Sequence, residues 1–279
     1  AADTATTTSL TVTGLLPTSA GTPEALIGID FRPDNGLLYG ITLEDSIYTI
    51  DPTTGAATLV STLATAFPGG SASGVDFNPV ADRLRLVGRA GENFRVNVDT
   101  GETFVDTSYA YVEGDPAFED DEANGTLTTP FVSAVAYTNS TAQSTSTQLY
   151  GIDYEQDSLV LVSNPNGGEV STVGLLGSPI DADEDGEVDD SSVDFGQFIG
   201  FDILSDFEGD NLAFALTGSN LYTIDLNTGL ATDVGQVGDG TFDFVGLAAV
   251  PIPEPSTGTL LGFGALALFS RLRKSVSKS

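Results

Sequence analysis

The fold is decided by residues 26 to 63, LIGIDFRPDNGLLYGITLEDSIYTIDPTTGAATLVSTL. This stretch divides into four pieces of strand length that are rich in β-branched and aromatic residues. Gly, Pro, Asp and Asn stand between the pieces, as they do at tight turns. The stretch therefore predicts a four-stranded antiparallel meander. Its pieces are LIGIDF (26–31), LLYGIT (37–42), SIYTID (46–51) and ATLVSTL (57–63).

The meander recurs along the chain. Counterparts of the first piece begin at residues 72, 132, 198 and 244, with spacings of 46, 60, 66 and 46 residues. Repeats of this length with four strands each are typical of β-propeller blades, which bury their faces against one another. We predict an all-β propeller of about five four-stranded blades over residues 1–250. The repeats lie near 26–63, 72–109, 132–176, 198–238 and 244–250.

Each end of this domain supplies part of a blade. Residues 244–250 match the first piece only, whereas SLTVTGLL (9–16) matches the fourth. Strands from both termini usually complete one blade of a closed ring, so we expect these two segments to share the last blade. Its two middle strands have no counterpart, which indicates either a chain that begins inside its first blade or a short fifth sheet.

Charge limits the partners of this domain. Asp and Glu number 40 against nine Lys and Arg, a formal net charge of −31. Four of the cations lie in the last nine residues, so the first 250 residues carry five arginines and no lysine. Such a surface repels nucleic acid and anionic lipid headgroups. Divalent cations, basic proteins and neutral glycans such as an extracellular polysaccharide remain as partners.

The chain contains no Cys and no His. This excludes a disulfide scaffold, the Cys- and His-containing nucleophilic dyads and the usual zinc ligands. No motif for an organic cofactor is present, so we expect none.

The C-terminal tail, residues 251–279, has three parts. A Pro-Glu-Pro triplet precedes a small polar spacer, an apolar run at 260–269 and a basic cluster. The apolar run is short for a span, which takes about 20 residues. The stretch from 255 to 270 is nevertheless uncharged, and basic residues follow it at once, as at a positive-inside anchor. We predict a membrane-spanning helix over about 257–272 with the domain outside. The sorting residues are Pro253, Glu254, Pro255, Arg271, Arg273 and Lys274.

This tail resembles the PEP-CTERM sorting signal of Gram-negative bacteria, which the membrane protease exosortase is thought to recognise and cut. The segments DFNPVADRLRLVGRAGENFRVNVDTG (76–101), AYTNS (136–140) and LYGID (149–153) resemble a bacterial domain of unknown function, number 4394. That family is propeller-like and has no established activity. The resemblances imply export, a transient inner-membrane anchor read by exosortase, and a final location at the cell surface or outside the cell.

An acidic insert carries the pattern D-x-D-x-D-G-x-V-D at 181–189. Carboxylates at alternate positions converge on one hard cation, and the Gly allows a sharp turn. The pattern predicts a calcium site, although Ser192 stands where a bidentate Glu would complete it. The alternative is a solvated acidic loop. The predicted ligands are Asp181, Asp183, Asp185, Glu187 through its backbone carbonyl, and Asp189.

Asp30, Asp76 and Asp202 occupy one position of three predicted inner strands. This spacing places them around one ring near the propeller axis. Carboxylates about 5 to 9 Å apart can hydrolyse glycosides. A residue repeated at one blade position more often joins neighbouring blades by hydrogen bonds, and we favour that interpretation.

Arg83 and Arg85 lie two residues apart and share a face of one strand. They could grip an anionic sugar or a carboxylate in fork geometry. Equally, they could neutralise nearby acidic residues.

The sequence favours a non-catalytic, exported propeller that serves as a binding or extracellular-matrix module, displayed on the surface or released. The alternative is a secreted glycan hydrolase that uses the inner-strand carboxylates.

Overall fold

The computed structural model describes residues 4, 6–119, 129–180, 190–206, 209–251 and 266–271. Four antiparallel four-stranded sheets follow one another along the chain, and the strands of each are in sequence order. This meander order confirms the prediction of an all-β propeller, with four blades in the described residues. The first sheet comprises β1 (Leu26–Phe31), β2 (Leu38–Thr42), β3 (Ser46–Ile50) and β4 (Ala57–Thr62).

The other three sheets repeat this arrangement. The second comprises β5 (Ser73–Asn78), β6 (Arg83–Gly88), β7 (Asn93–Val96) and β8 (Thr103–Val105). The third comprises β10 (Val132–Tyr137), β11 (Leu149–Asp153), β12 (Ser158–Asn164) and β13 (Glu169–Leu175), with β9 (Ala110–Tyr111) added parallel to β13. The fourth comprises β16 (Ile199–Ser205), β17 (Asn211–Thr217), β18 (Asn220–Ile224) and β19 (Ala231–Gln236).

The inserts between the sheets carry short elements. One helical turn, α1 (Pro116–Glu119), follows β9. The two-residue strands β14 (Pro179–Ile180) and β15 (Asp190–Ser191) pair antiparallel.

The core lies between neighbouring sheets. Ile41 and Ile47 of the first sheet pack with Phe77, Leu84 and Leu86 of the second, and each is fully or almost fully buried. A second cluster joins the third and fourth sheets in the same way. Burying one such side chain stabilises the fold by about 1.5 to 3 kcal/mol, so the contacts between sheets hold the ring together.

The first strands of the four sheets and β20 (Asp243–Ala249) surround the axis. Two glycines show how closely these strands approach. A Cβ atom at Gly74 would lie 2.8 Å from the backbone nitrogen of Val135, and one at Gly200 would lie 2.7 Å from that of Leu247. The cavity left on the axis has a volume of only about 10 Å³.

Neighbouring sheets also interlock at the turn that precedes each fourth strand. Gly101, at φ 74°, contacts the carbonyl oxygen of Thr62 in the sheet before it, and Gly229 contacts that of Gly174. A larger residue would collide with the backbone in this left-handed turn. The Thr-Gly signal in the sequence is therefore a packing requirement between blades.

The N-terminal segment contacts the first sheet at this same kind of turn. Gly55 contacts the carbonyl oxygen of Thr11, and Thr13 N–H donates to the Gly55 oxygen at 3.0 Å. Ala57 N–H donates to Thr13 O at 2.7 Å. Thr11 thus occupies the place that a fourth strand takes before each later sheet.

The tail includes one described strand, β21 (Leu266–Arg271), which pairs antiparallel with β20. This differs from the predicted helix over about 257–272. The physical reason is the outer edge of β20, where the described residues include no second strand of its own blade, so its backbone groups can pair with an extended segment. None of the helices in the described ranges is long and apolar enough to cross a membrane.

Candidate functional site

Three carboxylates meet at the axis. Asp30 on β1, Asp76 on β5 and Asp202 on β16 are 3%, 1% and 4% exposed. One carboxylate oxygen of each lies within 4.8 Å of the others. The structure thus brings together the three residues that the repeat placed on one ring.

Each of these carboxylates accepts a hydrogen bond from the next inner strand. Asp30 Oδ2 accepts from Phe77 N–H at 2.7 Å, and Asp76 Oδ1 accepts from Tyr137 N–H at 3.1 Å. Asp202 Oδ2 similarly accepts from the backbone N–H of Ala249 on β20, at 2.6 Å. These bonds join adjacent blades at the axis.

Two of the three carboxylates also accept a hydrogen bond from the next residue of their own strand. Asp30 Oδ1 accepts from Phe31 N–H and Asp202 Oδ1 from Ile203 N–H, both at 2.6 Å. In each case the preceding inner strand carries an alanine, Ala248 or Ala136, at the Asp position. The backbone N–H that no carboxylate of a neighbouring strand reaches therefore donates to the Asp that precedes it in its own strand.

Burial raises the pKa of all three carboxyl groups. The pKa of Asp202 rises to about 6 through desolvation. Desolvation, and then the charge of Asp202, raises the pKa of Asp30. Desolvation and the charges of the other two raise the pKa of Asp76. The three carboxyl groups are therefore more stable when they are protonated, or when they share a cation, than when all three are charged.

Calcium and magnesium prefer oxygen ligands. Among the described residues, these three carboxylates form the group whose oxygens lie close enough together to bind one cation. Three oxygens supply half or fewer of the six to eight that calcium takes. The axial cavity of about 10 Å³ has room for about one water.

The two arginines predicted from the sequence, Arg83 and Arg85, lie in different surroundings. Arg85 is 2% exposed, and its guanidinium donates to Asp106, Asn93 and Asn166 at 2.7 to 2.8 Å. It belongs to an internal network between the second and third sheets. Arg83, which is half-buried, donates to the backbone oxygen of Asp82 at 2.8 Å.

Arg32, which the sequence did not single out, has the same role between the first and second sheets. Its Nε donates to Asp82 at 2.7 Å and its Nη1 to Asp99 at 2.9 Å. The hydrogen bond from Arg32 holds the pKa of Asp82 below its usual value. The signal available in the sequence was the position of this arginine, directly after an inner strand.

A groove of about 840 Å³ opens between the third and fourth sheets. We call it the amide groove, because asparagine, glutamine, serine and threonine side chains dominate its wall. Sequence reasoning missed it, although the uncharged run TNSTAQSTSTQ (138–148) gave a signal. The groove is lined by Thr138, Asn139, Ser146, Thr147, Gln148, Tyr150, Gly209, Asn211, Ile224, Asp225, Leu226 and Asn227.

The predicted calcium site falls outside the described residues, and so does the sorting signal except for Arg271, the last residue of β21. The acidic stretch 181–189 connects β14 and β15, and the sorting residues lie in the tail, where only 251 and 266–271 are described.

A ring of meander blades followed by an apolar, basic-ended tail defines an exported β-propeller protein. The family model described as Domain of unknown function (DUF4394) matches residues 1–248, and the model of the PEP-CTERM protein-sorting motif matches residues 251–274. The chain belongs to the DUF4394 family. Its sorting motif marks a secreted protein that is transiently anchored in the membrane and processed by exosortase.

Solved structures resemble this chain at low similarity. A protein of unknown function from Bacteroides thetaiotaomicron is 16% identical, with a TM-score of 0.43 over 79% of this chain and 53% of that one. Regucalcin, a calcium-binding protein from Agrobacterium tumefaciens, is 13% identical, with a TM-score of 0.42 over 82% and 65%. Virginiamycin B lyase from Staphylococcus aureus is 10% identical, with a TM-score of 0.40 over 84% and 62%.

This chain spans about half to two thirds of the length of those structures. Their identities and TM-scores carry no argument about activity. A comparison with curated protein sequences gives no match.

Proposed function

We propose that this protein is a non-catalytic binding or matrix module, exported and then displayed on the cell surface or released. The observation that carries the proposal is the state of the axial carboxylates. Asp30, Asp76 and Asp202 are buried, and their oxygens accept backbone hydrogen bonds that join blades. Carboxylates used in this way hold the ring closed.

The same geometry argues against glycan hydrolysis at the axis. A glycosidase separates its two carboxyl groups by about 5 to 9 Å so that a sugar and, in inverting enzymes, a water fit between them. Here the three carboxyl groups are almost fully buried, and one oxygen of each lies within 4.8 Å of the others. A sugar ring does not fit there.

The test is a hydrolysis screen. Wild-type protein and Asp76→Asn are incubated with soluble polysaccharides, and reducing ends are counted. We expect no release from either protein. Release by wild type that Asp76→Asn abolishes would replace the binding module with a hydrolase.

The tail is proposed to leave β20 during sorting and to form the membrane helix over about 257–272, with exosortase and the inner membrane as its partners. The uncharged stretch and the basic cluster support this. In cells with exosortase, we expect a membrane-bound precursor that becomes a shorter product. Glu254→Ala should accumulate the precursor, and equal processing of both proteins would remove the assigned role of the Pro-Glu-Pro triplet.

The N-terminal segment 9–16 is proposed as the outer strand of the last blade, within a domain of residues 1–250. The contact of Gly55 with Thr11 supports this, because later sheets make the same contact with a fourth strand. Deleting residues 1–16 should lower the melting temperature. An unchanged melting temperature would remove the segment from the ring.

The acidic stretch is proposed to bind calcium through Asp181, Asp183, Asp185, Glu187 and Asp189. Crowded carboxylates repel unless a cation neutralises them. Calcium that binds only the folded protein at one hundred times its dissociation constant adds about 2.7 kcal/mol of stability. The melting temperature should rise with millimolar calcium, less with magnesium, and hardly at all in Asp183→Asn/Asp185→Asn. Equal responses to both ions in wild type and variant would indicate charge screening instead.

A further inference from the structure

We infer that the amide groove binds an uncharged sugar chain. This inference deepens the binding role proposed above and rests on it. It starts from what fills the corresponding space at the first two sheet junctions. Arg32 fills it between the first and second sheets, and Arg85 fills it between the second and third. Between the third and fourth sheets the space is open.

The open space follows from two differences in residue type between equivalent positions of the sheets. Thr138 follows β10 directly, as Arg32 follows β1. Asn227 in the turn after β18 corresponds to Asp99 in the turn after β7. A shared hydrogen bond identifies the two positions: the backbone N–H of each residue donates to the side chain two residues earlier. These differences remove both partners of an ion pair, so neither charge remains without its counterpart.

Tyr150 has a hydroxyl in the groove that solvent can reach. In the sheet register it faces Ala136, as Tyr39 faces Asp30. The hydroxyl of Tyr39 accepts from Arg32 and Asn35 at 3.3 and 3.2 Å. Tyr150 is only 9% exposed, and its hydroxyl has no hydrogen-bond partner among the described residues. A ligand hydroxyl would supply that partner.

The amide wall is held in place before any ligand arrives. Asn139 adopts a left-handed backbone, with φ 54°, and its N–H donates to Asn211 Oδ1 at 2.8 Å. Asn211 Nδ2 donates back to Asn139 Oδ1 at 3.2 Å, and Ser205 Oγ donates to Asn211 Oδ1 at 2.7 Å. Amides offer both a donor and an acceptor, which matches sugar hydroxyls. Their fixed positions reduce the entropy lost on binding.

Charge selects against anionic ligands. Residues 123–152 contain no charged side chain, in a chain whose net charge is −31. Asp225 is the carboxylate among the lining residues, and its Oδ1 accepts from the N–H and Nδ2 of Asn227 at 2.8 and 3.3 Å. Leu226, which is half-buried, adds apolar surface on which the C–H face of a sugar can rest. A volume of about 840 Å³ is in the range of ligand sites.

The test is affinity electrophoresis and calorimetry with soluble neutral polysaccharides: a β-glucan, an α-glucan and a galactomannan. Alginate and an arginine-rich peptide serve as charged probes. We expect wild type to bind at least one neutral polysaccharide. Tyr150→Phe should weaken that binding about fivefold, the effect of one hydrogen bond.

A second variant refills the groove. Thr138→Arg/Asn227→Asp recreates the pair that Arg32 and Asp99 make, and should weaken binding at least about one hundredfold while the fold, checked by circular dichroism, is kept. The matched control is Thr53→Asp, which adds a charge at the corresponding turn of the first sheet and should bind as wild type does.

The inference is overturned if no neutral polysaccharide binds, if the charged probes bind instead, or if the refilled variant folds and binds as wild type does. The proposed function survives those results. Cleavage of a bound polysaccharide would have the reverse effect: the sugar site would stand and the non-catalytic role would fall.

Discussion

The junction between the first and second sheets and the junction between the third and fourth are built differently. In the first, Asp30 accepts a hydrogen bond from the neighbouring inner strand at the axis, and Arg32 pairs with two carboxylates further out. The other has Ala136 at the axial position and Thr138 in place of the arginine. Its polar contacts across the sheets near the groove are neutral, between Asn139 and Asn211 and between Ser140 and Ser205.

The difference shows how a repeat can make room for a ligand. An ion pair closes the first junction, and the guanidinium of Arg85, bonded to the neutral side chain of Asn166, closes the second. The third junction has short neutral groups instead, and their hydrogen-bonding capacity is partly free. The hydrophobic core between the third and fourth sheets is retained, so the opening affects one end of the junction only.

The largest expected difference is between Arg32→Ala and Thr138→Ala. The arginine variant leaves Asp82 and Asp99 facing each other without a cation. Breaking a buried pair costs about 3 to 5 kcal/mol, and the partial exposure of both carboxylates reduces this to about 2 to 3 kcal/mol. Thr138→Ala removes one hydrogen bond, from Gln148 N–H, and should cost about 1 kcal/mol. Urea denaturation of both variants measures the gap, and equal losses would mean that the ion pair adds nothing to the first junction.

At the axis, Asp30→Asn should be less stable than Asp76→Asn by about 1 to 2 kcal/mol. Asp30 accepts hydrogen bonds on both oxygens, and an amide can accept on one only. The side-chain acceptor of Asp76 that bonds Tyr137 N–H survives in asparagine. Both variants remove one charge from the ring, so the difference isolates the lost bond. A greater loss in Asp76→Asn would contradict this account.

The last prediction concerns pH. A carboxyl group whose pKa is raised in the folded state binds more protons there than in the unfolded chain. Its contribution to stability is complete below the unfolded value of 3.8 and is lost as pH rises past the folded value, about 6 for Asp202. Asp82, whose pKa is lowered by Arg32, acts in the opposite direction in stronger acid.

The melting temperature should therefore be highest near pH 4 to 5 and lower at pH 7.5, at a salt concentration that screens the surface charges. Asp202→Asn should show a weaker decline over this range. The same decline in variant and wild type would assign the effect to the net charge of the surface.

The sequence by itself determined the fold and the export of the protein. The strand-length pieces such as LIGIDF, and the Thr-Gly or Gly-Gly turns, depend on local backbone chemistry that recurs in every blade. The sorting tail is equally local, since its triplet, uncharged stretch and basic cluster are contiguous. The convergence of Asp30, Asp76 and Asp202 was also predictable, because equivalent positions of a closed ring face one axis.

The tertiary structure decided what those residues contact. Arg85 and Asp106 are neighbours through folding alone, and Arg32 reaches Asp82 across 50 positions of sequence. The amide groove combines the β10–β11 connection with turns of the fourth sheet, about 70 to 90 residues further along. A repeat predicts which positions are equivalent. Whether a guanidinium fills the space between two of them depends on side chains that meet only when the ring has closed.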